Sequence, residues 1–395
     1  MLKLLHKIFN IEHLIVTLLA IAFVAVVLLV AVNISFFNPF KRAIQNFSMV
    51  DVCYQVEQAS QPADTSRLIT IVDISDVTDR QKIALMVDSI RAAEPAVVAF
   101  DVIFDPTIGT DSVNMQLLES LSALPNSRYA FMMKEWDAEQ HSYTVPYRSF
   151  FLFDEFELDG YVNTPESADG STLRTFSVNR VFLGDTIESF PLKIASAYEP
   201  RLAGMRGDDR LIDFTPTHFP EVQWNEIGSH TDLLRDRIVI VGALHDLVDN
   251  HFTAIGRIAG VKIVAQSVQT LLENRHVRHA SGFVSVLVAL LIIYLTQLWQ
   301  HGLVGFMKRR QGTFWIFARS STTFTSLLTF VWVCLLTFFN FVVFRIYGLS
   351  FDLLLTLASV AMVGEARGFY SALVNVLATK RGIGIFRKSI YYTPA

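Results

Sequence analysis

Three aspartates, Asp73, Asp101 and Asp105, stand at or just past the ends of two short apolar runs. A third run ends in Gly242, with His245, Asp246 and Asp249 following. Carboxylates gathered this way can form a convergent acidic pocket, suited to a cationic ligand or a hard divalent ion. An aspartate at a strand end also serves a plainer purpose, capping the next helix or closing a turn, so both roles stay open for each residue. Arg174 completes the candidate set, because it can pair with an acid inside the fold or meet an anionic ligand. His245 and His251 stand six apart on a loop-like stretch, a spacing with no metal-ligand specificity. There is no Gly-x-Ser-x-Gly elbow, and Gly160, Gly170 and Gly242 make no phosphate-cradling motif. The chemistry read from the chain is ligand binding, with no catalytic residue, cofactor or resident metal.

The elements that must position these residues alternate between strand and helix. Leu68–Ile74 is a continuous β-branched run of the kind buried on both faces of a sheet. Asp79–Ala93 follows with a helical apolar face, Ala96–Phe100 is a second buried run, and Val113–Leu124 is a second helix. Arg128–Met133 is a third strand. Strand, helix, strand, helix, strand predicts parallel pairing with right-handed crossovers. Asp137–Leu158 has weak periodicity and many aromatics and reads as a loop or insertion. Leu173–Phe182 is a strand candidate, Pro191–Ala197 a short helix and Arg210–Phe214 an edge strand. Arg237–Gly242 is the cleanest buried strand, and Gly260–Glu273 is an amphipathic helix. Phe36–Gln58 reads as a juxtamembrane helix. The predicted class is α/β: a mostly parallel extracytoplasmic sheet with flanking helices, attached to four transmembrane helices, one before and three after.

Four apolar spans carry that attachment: Leu14–Val32, Gly282–Trp299, Phe324–Phe344 and Leu349–Val363. Each approaches the roughly 17–25 residues that cross a bilayer. Asp352 and Glu365 sit at the two ends of the last and must reach an interface. Lys3 and Lys7 precede the first span, Lys308, Arg309, Arg310 and Arg319 separate the second from the third, and Arg367, Lys380, Arg381, Arg387 and Lys388 follow the fourth. The positive-inside rule puts these stretches in the cytoplasm and the large middle segment outside. The long first run, with no Ala-x-Ala site after it, reads as a retained anchor rather than a cleaved signal. The predicted organisation is residues 1–33 for the N-terminus and first helix, 34–280 for the outer domain, 281–365 for three helices and 366–395 for a short basic tail.

Composition agrees with this layout. Of the 395 residues, 52% are hydrophobic, and the mean hydropathy of +0.39 is high for a water-soluble chain. A formal net charge of −4 carries no nucleic-acid footprint. Of the two cysteines, Cys53 falls in the outer segment and Cys334 inside a span, so an intrachain disulfide is not expected.

The outer segment resembles the CHASE sensory domain of the second type, found outside the membrane on bacterial transmembrane receptors. The resemblance rests on pieces in order: Ile69–Ile74 (ITIVDI); Pro95–Phe104 (PAVVAFDVIF); Asp169 and Gly170 with Arg174; and Arg237–Ala243 (RIVIVGA) followed by Asp249, Phe252, Thr253, Gly260, Val261 and Ala265. It covers residues 45–280, and three downstream spans are that family's usual layout. The chain departs from the pattern at Val77–Arg80, where members often carry a tryptophan-proline element, and at Thr253–Ala254, where Thr-Pro is usual. The family also usually places a cyclase or kinase domain after the spans, and none is read here. The resemblance implies a receptor subunit that binds a small ligand and signals to a separate cytoplasmic effector, with a homodimer as a natural way to pass the signal. The alternative is an assembly subunit binding another envelope protein through an exposed patch, for which the aromatic stretch Tyr143–Phe156 is the obvious place. Membrane lipid is a partner on either reading, and the basic tail can lie on its anionic surface.

Overall fold

The computed structural model describes residues 10–33, 47–139, 142–152, 156–164, 172–207, 209–246, 248–274, 277–351, 353–379 and 383–392. Asp169, Gly170 and Asp352, and most of the stretch leading out of the first span, lie outside these. The chain divides into two units, residues 50–277 and residues 1–49 with 278–395.

In the first unit, a nine-stranded sheet forms around β1 (Ile69–Asp73), β2 (Val97–Phe100), β3 (Ser127–Asp137), β4 (Ser142–Tyr147), β5 (Asp159–Tyr161), β6 (Asn179–Phe182), β7 (Asp185–Glu188), β8 (Glu221–Gln223) and β9 (Ile238–Gly242). Its order is β8-β1-β9-β2-β3-β4-β6-β7, with β5 also paired to β3. The run from β8 through β1, β9 and β2 to β3 is parallel, as is the β3–β5 pair. Only β3–β4 and β6–β7 are antiparallel. Every residue of β1, β2 and β9 is buried, which is why these strands read as unbroken apolar runs. Successive side chains alternate between the two faces. Val72, Val98, Phe100, Val239 and Val241 meet Ile83, Met86, Val87, Leu117 and Leu121 of α3 (Arg80–Ala92) and α4 (Asp111–Ser122). On the opposite face lie α5 (Phe190–Tyr198) and α6 (Gly260–Leu272), which pack on each other and on the central strands. The helix α2 (Met49–Ser60) is tied to this unit by Tyr54, which lies against Ile212 and Asp213, and by Gln55, whose Nε2 donates to the Ala254 carbonyl at 2.9 Å.

Local chemistry sets the boundaries. Asp79 caps α3 by accepting from the Gln81 amide at 2.9 Å, and Glu94, at a φ of 55°, turns the chain out of that helix ahead of Pro95. Part of the stretch expected to be a loop, 137–158, is the strand β4. It escapes a periodicity reading because its burial does not alternate. The single strand expected over 173–182 divides into Thr175–Phe176 and β6, and the former pairs with Arg210–Leu211.

The other unit is helical: α1 (Ile11–Asn33), α7 (Gly282–Arg309), α8 (Thr313–Ser320), α9 (Thr322–Tyr347) and α10 (Leu354–Thr379). Among the described residues, three helices are long and apolar enough to cross a membrane: Ile11–Val30, Gly282–Arg309 and Thr323–Tyr347. The stretch expected as a fourth span is not among them and belongs to a longer helix. Helix α10 begins at Leu354 and runs to Thr379, so Glu365 and Arg367 fall mid-helix instead of at its end. An apolar run stops at the first charge, but a helix does not, because its backbone hydrogen bonds are indifferent to side-chain polarity. Val16 and Ala20 of α1 pack against Val360, Val363, Ala366, Tyr370 and Val374 of α10.

Candidate functional site

The chain leaves β1 and β2 toward α3 and α4 on one face of the sheet. It leaves β9, which lies between those two strands, toward α6 on the other. Such a switch opens a crevice beyond the carboxyl ends of the strands, the usual ligand position in a parallel sheet. A cavity of about 400 Å³ occupies this place. Its walls come from Ala130 and Met132 of β3, Tyr143 of β4, Asn163 and Thr164 after β5, and Ile263 and Val264 of α6, while Asp101, Asp249, His251 and Gly260 form its polar end. The volume and the mixture of apolar wall with few polar groups suit a small organic molecule.

Asp101 is the first residue past β2. Its amide donates to the Val241 carbonyl at 2.8 Å, so the β2–β9 pairing carries on to the point where the side chain enters the cavity. Burial, reinforced by the charge of Asp249 and only partly offset by His251, pushes its carboxyl up to about 7. Asp101 therefore changes charge near neutral pH. Asp249 holds His251 through a 3.0 Å contact from Nε2 to Oδ1. That hydrogen bond raises the imidazole above its ordinary 6.5 despite the opposing effect of burial. The Gly260 amide donates to the Asp249 carbonyl at 2.9 Å, and a Cβ at Gly260 would lie 2.2 Å from Asp249 Oδ2. Only glycine lets this carboxylate lie against the first residue of α6, where the helix dipole favours negative charge. Gly242 has a related part: a Cβ there would come within 2.8 Å of Val261 and 3.3 Å of the Asp101 Cβ.

Of the residues singled out in the sequence, the fold thus brings Asp101 and Asp249 into one cavity, with Gly242 packed beneath. Asp73 is buried and turned away from it. Its Oδ1 accepts from the Ser75 amide and the Leu244 amide, both at 3.0 Å, and from the Ser75 hydroxyl, while Gln223 Nε2 donates to Oδ2 at 3.3 Å. Burial by itself would raise this carboxyl, but the hydrogen bonds from Ser75, Leu244 and Gln223 outweigh it and hold it below the usual 3.8. Asp73 joins the turns after β1 and β9. His245 is three-quarters exposed, 3.7 Å from Asp73. Asp105 closes its own turn by accepting from the Thr107 amide at 2.8 Å, and Tyr147 donates to it at 3.1 Å. Arg174 makes a two-pronged ion pair with Asp51 of α2, at 2.8 and 2.6 Å.

Several contributors to the site are not apparent in the sequence. His251 follows Asp249 by two positions at the start of a hairpin (Asn250–Thr253 with Gly256–Ala259), and this places both on one side of an extended chain. Asn163 and Thr164 follow β5, a three-residue strand too short to show a pattern. Arg80, in the place where a tryptophan-proline element was noted as missing, holds the loop beyond Asp101 by donating to Asn114 and to the Asp105 carbonyl. Among the described residues, no three His, Cys, Asp or Glu side chains come close enough together to hold a metal ion.

A family model described as the CHASE2 domain matches residues 21–299. No curated protein and no solved structure matches the chain significantly.

Proposed function

The chain belongs to the CHASE2 family, a sensory domain of membrane receptors, and from that premise we propose that the cavity beside Asp101 is where it senses. The ligand is a small molecule with a cationic amino group and an apolar body: the amino group meets Asp101 and Asp249, and the body lies along Met132, Val162, Ile263 and Val264. The observation that carries this reading is a carboxyl at the switch point, desolvated and beside a second carboxyl. A cation there removes the cost of ionising it.

The domain acts by binding, without catalysis. It stands outside the inner membrane on a four-span, multi-pass anchor with both ends in the cytoplasm, and it signals to a separate cytoplasmic partner. Helix α6 carries one wall of the cavity and leads along the chain into α7. A ligand that favours one position of α6 therefore biases the arrangement of the membrane helices. The alternative, an assembly subunit with an exposed aromatic patch, has less support. Phe150 and Phe151 pack into the core with Phe104 and Tyr129, and Phe156 packs between Phe131 and Phe182, tilted against the first ring and edge-on to the second.

Calorimetric titration of the full-length protein in detergent with a panel of primary amines and diamines tests the proposal. Binding of one class is expected, about tenfold weaker at pH 6 than at pH 8, with loss in Asp101→Asn. Absence of binding across the panel, or equal binding by Asp101→Asn, overturns the ligand assignment. Co-purification from native membranes, read by mass spectrometry, tests the cytoplasmic partner.

A further inference from the structure

A second cavity, of about 490 Å³, lies within the helical unit between α7 and α9. Val288, Leu291 and Leu295 line it from one helix, and Leu336, Phe339 and Asn340 from the other. Leu291 and Leu295 follow at steps of three and four from Val288, and Phe339 and Asn340 lie three and four residues past Leu336, so two helical stripes face each other. All are apolar except Asn340. That residue is 2% exposed, and neither the nitrogen nor the oxygen of its amide has a hydrogen-bond partner among the described residues. An amide left in this condition inside hydrocarbon is costly, because no water is there to satisfy it. At the other end of the cavity the Trp332 ring is fixed. Its Nε1 donates to Thr296 Oγ1 at 2.9 Å, and it stacks on Trp299 at 5.0 Å.

We propose that this cavity binds a membrane-dissolved, single-chain amphiphile carrying one uncharged hydrogen-bonding oxygen, which pairs with Asn340 while its hydrocarbon lies along the helices toward Trp332. Depth selects this class. Eight residues separate Trp332 from Asn340, ~12 Å along the axis. Asn340 lies ~8 Å from the middle of α9, well inside the ~15 Å half-thickness of the hydrocarbon. The ester groups of a phospholipid stay nearer the surface than that. A hydroxyl or carbonyl on a molecule free to sink into the bilayer reaches Asn340 and supplies both a donor and an acceptor or either one.

The test uses the full chain in nanodiscs, with quenching of Trp332 read as the difference between the protein and its Trp332→Phe variant. The probes are 16-bromohexadecan-1-ol and 1-bromohexadecane, which share a chain and differ by the hydroxyl. The alcohol is expected to reach half-maximal quenching at about a tenfold lower bilayer mole fraction than the bromoalkane. Asn340→Leu brings the two curves together, and Val288→Phe, which fills the cavity from the facing helix, removes saturable quenching by both. Coincident curves in the unaltered protein, or a separation that survives either substitution, overturn the proposal. If Asn340→Leu fails to fold, Val288→Phe alone carries this decision. Absence of quenching by dibromophosphatidylcholine overturns both the site and the placement of α9 in the bilayer.

Discussion

Replacing Asp101 with asparagine removes a carboxyl that the folded domain ionises only at a cost, and the size of that cost follows from its surroundings. The group titrates at 3.8 in an unfolded chain and at about 7 in the fold, mainly because it is buried and secondarily because Asp249 is near. At ~1.4 kcal/mol per pH unit, this amounts to ~4 kcal/mol, with ~2 kcal/mol expected where the cavity admits water. The sign follows from which state binds the proton. Well below pH 3.8 the carboxyl is neutral in both states and contributes no difference. Between pH 4 and pH 7 the unfolded chain gives up the proton first, so stability falls as pH rises. Above pH 7 the whole cost is present. Asparagine cannot ionise, so the variant is expected to match the parent near pH 4 and to exceed it at pH 8 by ~2–4 kcal/mol. For a domain of this size that is roughly 5–15 °C in melting temperature. His251, raised by its bond to Asp249, also adds stability at low pH that is lost as pH rises through its folded value, but it remains in both proteins and largely cancels. The assay is thermal unfolding of the full-length protein in detergent, followed by near-ultraviolet circular dichroism across pH 4.5–8. A difference that stays constant with pH, or a variant less stable at pH 8, refutes the desolvated-carboxyl argument.

Asp73→Asn is expected to destabilise the domain by ~1–3 kcal/mol at neutral pH, because one amide cannot replace the acceptors offered to Ser75, Leu244 and Gln223. Its chemical-denaturation midpoint falls while amine binding is retained. In the parent, the share of stability due to the depressed Asp73 carboxyl is present above pH 4 and is lost as pH falls through its folded value. Gly160→Ala would place a Cβ 2.6 Å from the Phe190 backbone. Because backbone cannot rotate away, α5 must lift from β5 at ~1–3 kcal/mol, read as a lower urea midpoint.

Much of the fold was legible in the chain. β1, β2, β9, α3, α4 and α6 all announce themselves, since a strand buried on both faces must be apolar throughout and a half-buried helix must repeat every three to four residues. The bounds of α3 were legible for equally local reasons, since the expected stretch Asp79–Ala93 ends on the two residues that cap the helix. Strand β4 was not, and neither were the true limits of α10. In both, structure runs on past the point where side-chain pattern changes, because backbone pairing sustains it.

The site divides along the same line. Asp73 and Asp101 end their apolar runs in nearly the same way; locally they differ by Ser75, which closes a turn on Asp73, whereas Ile103 stands in the equivalent place after Asp101. Tertiary structure separates them by inserting β9 between β1 and β2. That brings the Leu244 amide to Asp73 and leaves Asp101 beside Asp249 with a cavity in front of it. Sequence alone determined which residues are carboxylates at strand ends, because burial and turn chemistry act locally. Which carboxylate is fully satisfied and which is left facing a cavity was decided by strand order, because the Leu244 and Gln223 partners of Asp73 and the Asp249 neighbour of Asp101 come from segments more than a hundred residues away.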